Sequence, residues 1–528
     1  MTNERRYPVG VQTFSEIIKR GYVYIDKTDM VWYLTRQSKY VFLSRPRRFG
    51  KSLLSSTLRS YFEGRKELFE GLKIMDLEQE WTEHPVLHFD MSLCKNQGST
   101  QALSQRIMLM LAPYAEKYGR REEEKTPGGM LTGLIHRAYE QTGKQVVIII
   151  DEYDAPLLEV LHESLQLPEF RRVMQEFYVP LKAADPYLHF CFITGITKFS
   201  QLSIFSSLNN MLNLTLLPRF ATICGITDKE LTTAMAEDIR MLADRYGYTP
   251  GQMHERLKRQ YDGYHFAGNA EGVYNPFSLL TAFQMEKIGN YWFETGTPTY
   301  LINQMQRFRT NIMEMDNLEV PSTAFDRSTE ALTNALPLLY QSGYLTIKSY
   351  DPDIDAYTLC IPNNEVRVGY ADGLLPTYVG LDPADVQMGF AAKFWRALRQ
   401  HDLDLALREM QAYMAGIPYV EGFKKKLEEA ATKEGFYEYT FYLVFSMLNV
   451  YVRTQVKVAG GRADVVVIMP DTTYVMELKM NGTAQEALDQ IISHNYALPY
   501  QTDGRRVVKV GISFSLDSRT VADWLIMS

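Results

Sequence analysis

Five apolar residues, Val146-Val147-Ile148-Ile149-Ile150, run directly into two carboxylates, Asp151-Glu152. No other segment constrains the fold as much. A continuous β-branched run of this kind reads as a strand buried on both faces, which occurs where helices cover a parallel sheet from either side. The expected class is therefore α/β. Asp151 and Glu152 would sit just beyond the carboxyl end of a central strand, where open parallel sheets hold their ligands. A core strand ending in a solvated acidic turn is the plainer reading of the same residues.

Upstream, Tyr40-Val41-Phe42-Leu43-Ser44 is another apolar strand candidate, followed by Arg45-Pro46-Arg47-Arg48-Phe49-Gly50-Lys51-Ser52 and a helical stretch from Leu53. Strand, turn and helix in that order form the context of a phosphate loop, where backbone N–H groups and the positive end of a helix face an anion. Arg47, Arg48, Phe49, Gly50, Lys51 and Ser52 are the nucleotide-binding candidates. Lys51 would reach the β and γ oxygens of ATP, and Ser52 would offer its hydroxyl to Mg2+. Arg45 stands where the pattern has its first glycine, and the three loop arginines are expected to compensate electrostatically. Asp151 would hold Mg2+ through water and Glu152 would polarise the attacking water, since phosphoryl transfer depends mainly on positioning and charge neutralisation. Gly-Lys-Ser alone is a weak signal; the carboxylate-ended strand gives it weight.

His189-Phe190-Cys191-Phe192-Ile193 forms a further strand candidate that ends at Thr194, a candidate γ-phosphate sensor or a structural strand end. Val86-Leu87-His88-Phe89-Asp90 lies between the two nucleotide motifs. It is expected to be the extra strand of a parallel, doubly wound P-loop sheet of the catalytic-glutamate division.

At 528 residues and 46% hydrophobic composition the chain can bury several cores. A net charge of −7 gives no global nucleic-acid footprint, so such contacts would be local. Cys94, Cys191, Cys224 and Cys360 are scattered without C-x-x-C spacing, which fits reduced thiols in a cytoplasm and argues against a zinc site. The first residues lack the apolar core of a secretory signal. The longest weakly charged apolar stretch, Tyr439 to Val452, is too short to span a bilayer.

Residues 1–225 are expected to form the P-loop domain and 226–350 a helical lid, either winged-helix-like or with an ordinary helix-strand connection. Residues 351–417 would be a helical connector and 418–528 a last α/β domain. Thr227 to Glu230 and Thr483 to Glu486 have capping-box patterns, and Asn275-Pro276 suits a helix start. Leu338 to Gly343 followed by Tyr344 to Ile347 reads as helix, glycine stop and strand.

In the last domain, Asp464 precedes Val465 to Met469, and Tyr474 to Lys479 returns after the turn at Pro470-Asp471-Thr472-Thr473. With Met469 facing Tyr474, Asp464 would lie across from Lys479 and Val466 across from Glu477. Alternation then places Asp464, Glu477 and Lys479 on one face. Two carboxylates with the Leu478 carbonyl suit a divalent cation, and Lys479 would orient or activate the attacking water. A salt-bridged strand end would also explain the trio. Gln490 is expected to return toward that face, while Glu434 and Glu438 would either lean over the metal or stand solvated.

Tyr22 to Thr28, Ser44 to Ser52, Asp151-Glu152-Tyr153-Asp154, Tyr261-Asp262-Gly263-Tyr264, Gly461 to Asp464 and Glu477-Leu478-Lys479 together resemble the bacterial AAA-ATPase-like family with a C-terminal PD-(D/E)XK nuclease-like domain. The resemblance covers nearly the whole chain, and the family's own loop variant matches Arg45. It implies a P-loop ATPase joined to a nuclease-like domain; the expected function is an ATP-binding hydrolase whose nucleotide state controls a metal-dependent nuclease, with ATP, Mg2+ (or Mn2+ at the nuclease site) and nucleic acid as partners. DNA against RNA and homo-oligomer formation stay open. A cytoplasmic protein without a membrane partner is expected. The alternative is a nucleotide-dependent switch whose C-terminal domain binds nucleic acid or protein without cutting it. Gln455 departs from the family's frequent glutamate nine residues before the Gly-Arg-x-Asp aspartate.

Overall fold

The computed structural model describes residues 5–160, 165–197, 211–294, 318–325, 334–369, 393–394, 396–398, 400–415, 451–458, 461–469, 471–480, 482–501, 504–515 and 520–528, with single positions at 301, 305, 308 and 315. The chain divides into two compact units, Met1–Thr310 with Asn317–Asn363, and Asn311–Asp316 with Asn364–Ser528. Glu434 and Glu438 lie outside the described residues.

The first unit is built on β1 (Tyr40–Ser44), β2 (Val86–Asp90), β3 (Val146–Asp151), β4 (Leu188–Gly195) and the short β5 (Leu212–Asn213). They form one parallel sheet in the order β2-β3-β4-β1-β5. Every residue of β1 and β3 is buried, as expected of strands covered on both faces. The strand inserted between the phosphate-loop strand and the carboxylate strand is β4; β2 lies at the outer edge. Val86–Asp90 is thus the expected extra parallel strand, and it takes the sheet's edge, since sequence order does not reveal spatial order when crossovers intervene.

Helix α1 (Lys51–Phe62) follows the loop, and its Phe62 packs on Phe190 of β4 with ring centroids 5.2 Å apart. On the other face, α2 (Thr100–Tyr118) buries Leu103, Ile107 and Leu111 at helical spacing. It shares one core with Leu131 and Leu134 of α3 (Pro127–Thr142), Phe170 and Met174 of α4 (Gln166–Tyr178), and Val146, Ile148 and Ile150 of β3.

Beyond the sheet, α5 (Asp228–Ala234) starts with both hydrogen bonds of the Thr227–Glu230 capping box. The helices α6 (Ala236–Tyr246), α7 (Pro250–Tyr261) and α8 (Pro276–Gln284) complete a separate core, with Asn275 capping α8. Leu336–Gln341, Gly343 at φ 87° and β7 (Thr346–Asp351) reproduce the expected helix, glycine stop and strand. β7 and β6 (Leu318–Pro321) flank β8 (Ala356–Cys360) in an antiparallel sheet. β8 corrects the start of the expected helical connector: five residues between turns gave too short a pattern to recognise as a strand.

The second unit has β9 (Tyr451–Val458), β10 (Gly461–Ile468), β11 (Thr472–Met480), β12 (Arg506–Ser515) and β13 (Thr520–Met527), in the order β13-β12-β11-β10-β9. β9 to β11 form an antiparallel meander, whereas β12 runs parallel to β11 after the crossover helix α9 (Ala484–Ser493). Gly511 of β12 pairs with Glu477 of β11. A Cβ at Gly511 would stand 2.1 Å from the Ala484 carbonyl oxygen and 2.6 Å from the Leu488 nitrogen, so this glycine permits the close approach of α9.

Candidate functional site

At the first site, β1 ends at Ser44 and the loop turns through Arg48 at φ 68° and Gly50 at φ 89° before α1 begins at Lys51. A Cβ at Gly50 would meet nothing within 4 Å, so the backbone angle, not crowding, favours glycine there. Lys51 is buried and its Nζ donates to the Pro46 carbonyl at 3.0 Å. Burial lowers its pKa, against the opposing fields of Glu152, Asp151 and Asp154.

Asp151 ends β3 and is also buried. Burial pushes its carboxyl up to about 6, with Glu152 and Asp90 adding to the rise and the Ser52 hydrogen bond and Lys51 opposing it. Ser52 and Asp151 are therefore in direct contact. Glu152 has a left-handed φ of 48°, and its N–H donates to Asp151 Oδ1 at 3.0 Å. Its carboxylate pairs with Lys95 at 2.8 Å. Burial alone would raise the Glu152 pKa, but Lys95, Lys51 and Arg47 reverse that and hold it below its ordinary value. Lys95 has no signal in the sequence. It enters because β2 pairs with β3, setting Asp90 beside Asp151 and bringing the segment after β2 to the site.

The other loop candidates take varied positions. Phe49 is buried and meets Tyr264 and Phe266 edge-on. The Arg48 guanidinium lies over the Phe277 ring at 4.5 Å, and the Arg47 carbonyl accepts from Trp292 Nε1 at 3.3 Å. Arg45 corrects the expectation of electrostatic compensation by three arginines, because its guanidinium is buried and bonded to backbone carbonyls. Thr194 is fully buried, and its hydroxyl donates to the Leu43 carbonyl at 2.7 Å. Tyr264 and Phe266 follow Gly263, whose φ of 95° and close approach to the Pro362 carbonyl oxygen, 2.1 Å from an added Cβ, exclude a side chain.

At the second site, β10 and β11 pair as Val465↔Met476 and Val466↔Val475. The expected register is thus shifted by two residues: Val466 faces Val475, and the same count puts Asp464 opposite Glu477 instead of Lys479. The turn is tighter than expected, with Met469 N–H donating to the Thr472 carbonyl. A shift of two keeps strand parity, so Asp464, Glu477 and Lys479 still share a face.

Asp464 is half-buried and its Oδ2 accepts from the Leu478 N–H at 2.9 Å. Glu477 is 2% exposed, and burial followed by the Asp464 charge pushes its carboxyl up to about 8 despite Lys479. Lys479 Nζ lies 3.5 Å from Glu477 Oε1 and donates to Gln490 Oε1 at 2.5 Å. The Thr483–Glu486 capping box is present, which fixes the start of the helix carrying Gln490. Glu477 Oε2 is buried without a hydrogen-bond partner, an arrangement that suits a cation ligand. Among the described residues, no group of three or more His, Cys, Asp or Glu could hold a metal. The β9–β10 register, Ala463↔Val456 and Val465↔Thr454, places Gln455 opposite Asp464.

The two sites define a chain that joins a P-loop ATPase-like domain to a PD-(D/E)XK nuclease-like domain. Residues 8–205 match the family described as Predicted AAA-ATPase, and residues 432–524 match the PD-(D/E)XK nuclease superfamily. The chain belongs to this AAA-ATPase-like family. It is 32% identical over 541 residues to the "Uncharacterized protein in vnfD 5'region" of Azotobacter chroococcum mcd 1, covering 100% of this chain and 99% of that protein. Among the described residues, no helix is long and apolar enough to cross a membrane.

Proposed function

We propose that the protein binds and hydrolyses ATP at the P-loop and that its nucleotide state controls metal-dependent phosphodiester cleavage by the C-terminal domain. The convergence of Lys51 and Ser52 with Asp151 and Glu152 carries this reading. The Pro46 carbonyl and the acidic residues hold Lys51 where a polyphosphate can replace a neutral acceptor with charged ones. Ser52 and Asp151 would hold Mg2+, which neutralises phosphate charge when bound. Glu152 would orient and deprotonate the attacking water, with Lys95 keeping it ionised. Thr194 contributes by tying β4 to β1 at the root of the loop. In the C-terminal domain, Asp464 and Glu477 are the proposed ligands of Mg2+ or Mn2+. Lys479, steadied by Gln490, would orient the nucleophilic water.

Calorimetry tests the first site. Wild-type protein should bind MgATP, Lys51→Ala should lose binding, and Glu152→Gln should bind ATP and retain it unhydrolysed. Wild-type protein silent to ATP across a range of Mg2+ concentrations would contradict the proposal.

A second reading is favoured by the Glu477 carboxyl, which burial and Asp464 push up toward its neutral form: a nucleotide-dependent module that binds nucleic acid or protein without cleavage. Chelation separates the two, because it would abolish cutting but leave such binding intact.

A further inference from the structure

Arg45 is 1% exposed, its buried Nε has no hydrogen-bond partner, and the partners of its other two guanidinium nitrogens are neutral carbonyls. Nη1 donates to the Ser44 carbonyl at 2.8 Å and the Thr215 carbonyl at 3.0 Å, while Nη2 donates to the Phe220 carbonyl at 2.8 Å. The plane lies over the Phe266 ring, 4.3 Å from its centroid. None of these partners is a carboxylate, and burial pulls the guanidinium pKa down. A cation in such surroundings is costly, so a neutral residue would serve better if the position only filled space.

The same Phe266 ring meets Phe49 edge-on, with centroids 5.2 Å apart. Phe266 therefore touches the first residue of the loop and the residue before Gly50. The Arg45 N–H also donates to the Gly195 carbonyl, at 3.2 Å, so β1, β4 and the Thr215–Phe220 segment meet at this one residue.

We propose that Arg45 is a positioning residue for ATP: its fork ties the start of the phosphate loop to Thr215 and Phe220 and, through Phe266, to Phe49 at the far end of the loop. This buried strut fixes the loop curvature that the first glycine supplies in the usual pattern. The inference rests on the nucleotide-site reading above. It has a consequence opposite to the motif's: Arg45→Gly, which restores the usual glycine, harms binding.

The test is the MgATP affinity of the full-length wild-type, Arg45→Gly and Arg45→Lys proteins, each measured where its circular dichroism matches wild type. Arg45→Gly should bind at least about tenfold more weakly. Arg45→Lys keeps the charge but not the planar fork, and should remain several-fold weaker. A purely structural role would lower the melting temperature and leave these affinities unchanged. Equal or tighter binding by Arg45→Gly, or wild-type affinity in Arg45→Lys, overturns the inference. Should Arg45→Gly fail to fold, Phe266→Leu keeps an apolar side chain while removing the ring; it should also bind several-fold more weakly, and wild-type affinity there overturns the strut. If wild-type protein binds no ATP, the nucleotide-site reading fails instead, and the inference falls with it.

Discussion

Glu477 is a carboxylic acid held in a place that disfavours its charge. Its pKa is pushed up to about 8, first by burial and then by Asp464. The sign of the linkage follows: the folded state binds the proton more tightly than the unfolded chain. The resulting stabilisation is full below about pH 4.3, the ordinary glutamate pKa, and is lost as pH rises through about 8. Metal-free wild type should therefore lose melting temperature between these limits more steeply than Glu477→Gln, measured by calorimetric scans across pH. Mn2+ binding at pH 7 should release a proton, seen by titrating in buffers of different ionisation enthalpy. Lys95 works on Glu152 in the opposite sense, holding the carboxyl down. In Lys95→Met the acid limb of the ATPase pH profile should move to higher pH. Lys51, Ser52 and Asp151 were legible because loop and strand-end chemistry is local in sequence. Lys95 was not, since only the pairing of β2 with β3 brings it to Glu152.

Strand parity explains why the C-terminal site was legible despite an incorrect register. A two-residue slip leaves side chains on their original face, whereas a one-residue slip would have scattered the trio. The size of the slip was not legible, because Pro470-Asp471-Thr472-Thr473 suited a longer turn than the one formed. Across the meander, Gln455, Asp464 and Glu477 now occupy successive register positions. Gln455→Glu should tighten Mn2+ binding by adding a third carboxylate to this row; calorimetry at fixed pH would show it. The crossover helix depends on Gly511. Gly511→Ala forces a Cβ against the Ala484 and Leu488 backbone, which cannot rotate away as a side chain could. We expect a loss of about 1–3 kcal/mol in the C-terminal unfolding transition, with weaker nuclease activity because Gln490 retreats from Lys479.

At the scale of the molecule, two units each carry a candidate site for phosphate groups, and we propose that the nucleotide state of one controls the other. A ligand shifts an equilibrium only as far as it binds the two states differently. Variants that lock the first site in opposite states therefore probe the claim. The α/β class and the two candidate sites could be read from motifs, but the division at residue 363 could not, since β8 and its neighbours join the first unit through contacts distant in sequence. The most direct measurement is cleavage of end-labelled DNA and RNA in Mg2+ or Mn2+ with saturating ATP, by wild type, Glu152→Gln, Lys51→Ala and Asp464→Ala. Control of the second site by the first predicts no cleavage by Asp464→Ala and different rates for Glu152→Gln, held with ATP, and Lys51→Ala, held without it. Metal-dependent cleavage that is the same in Glu152→Gln and Lys51→Ala, or that survives in Asp464→Ala, would contradict it.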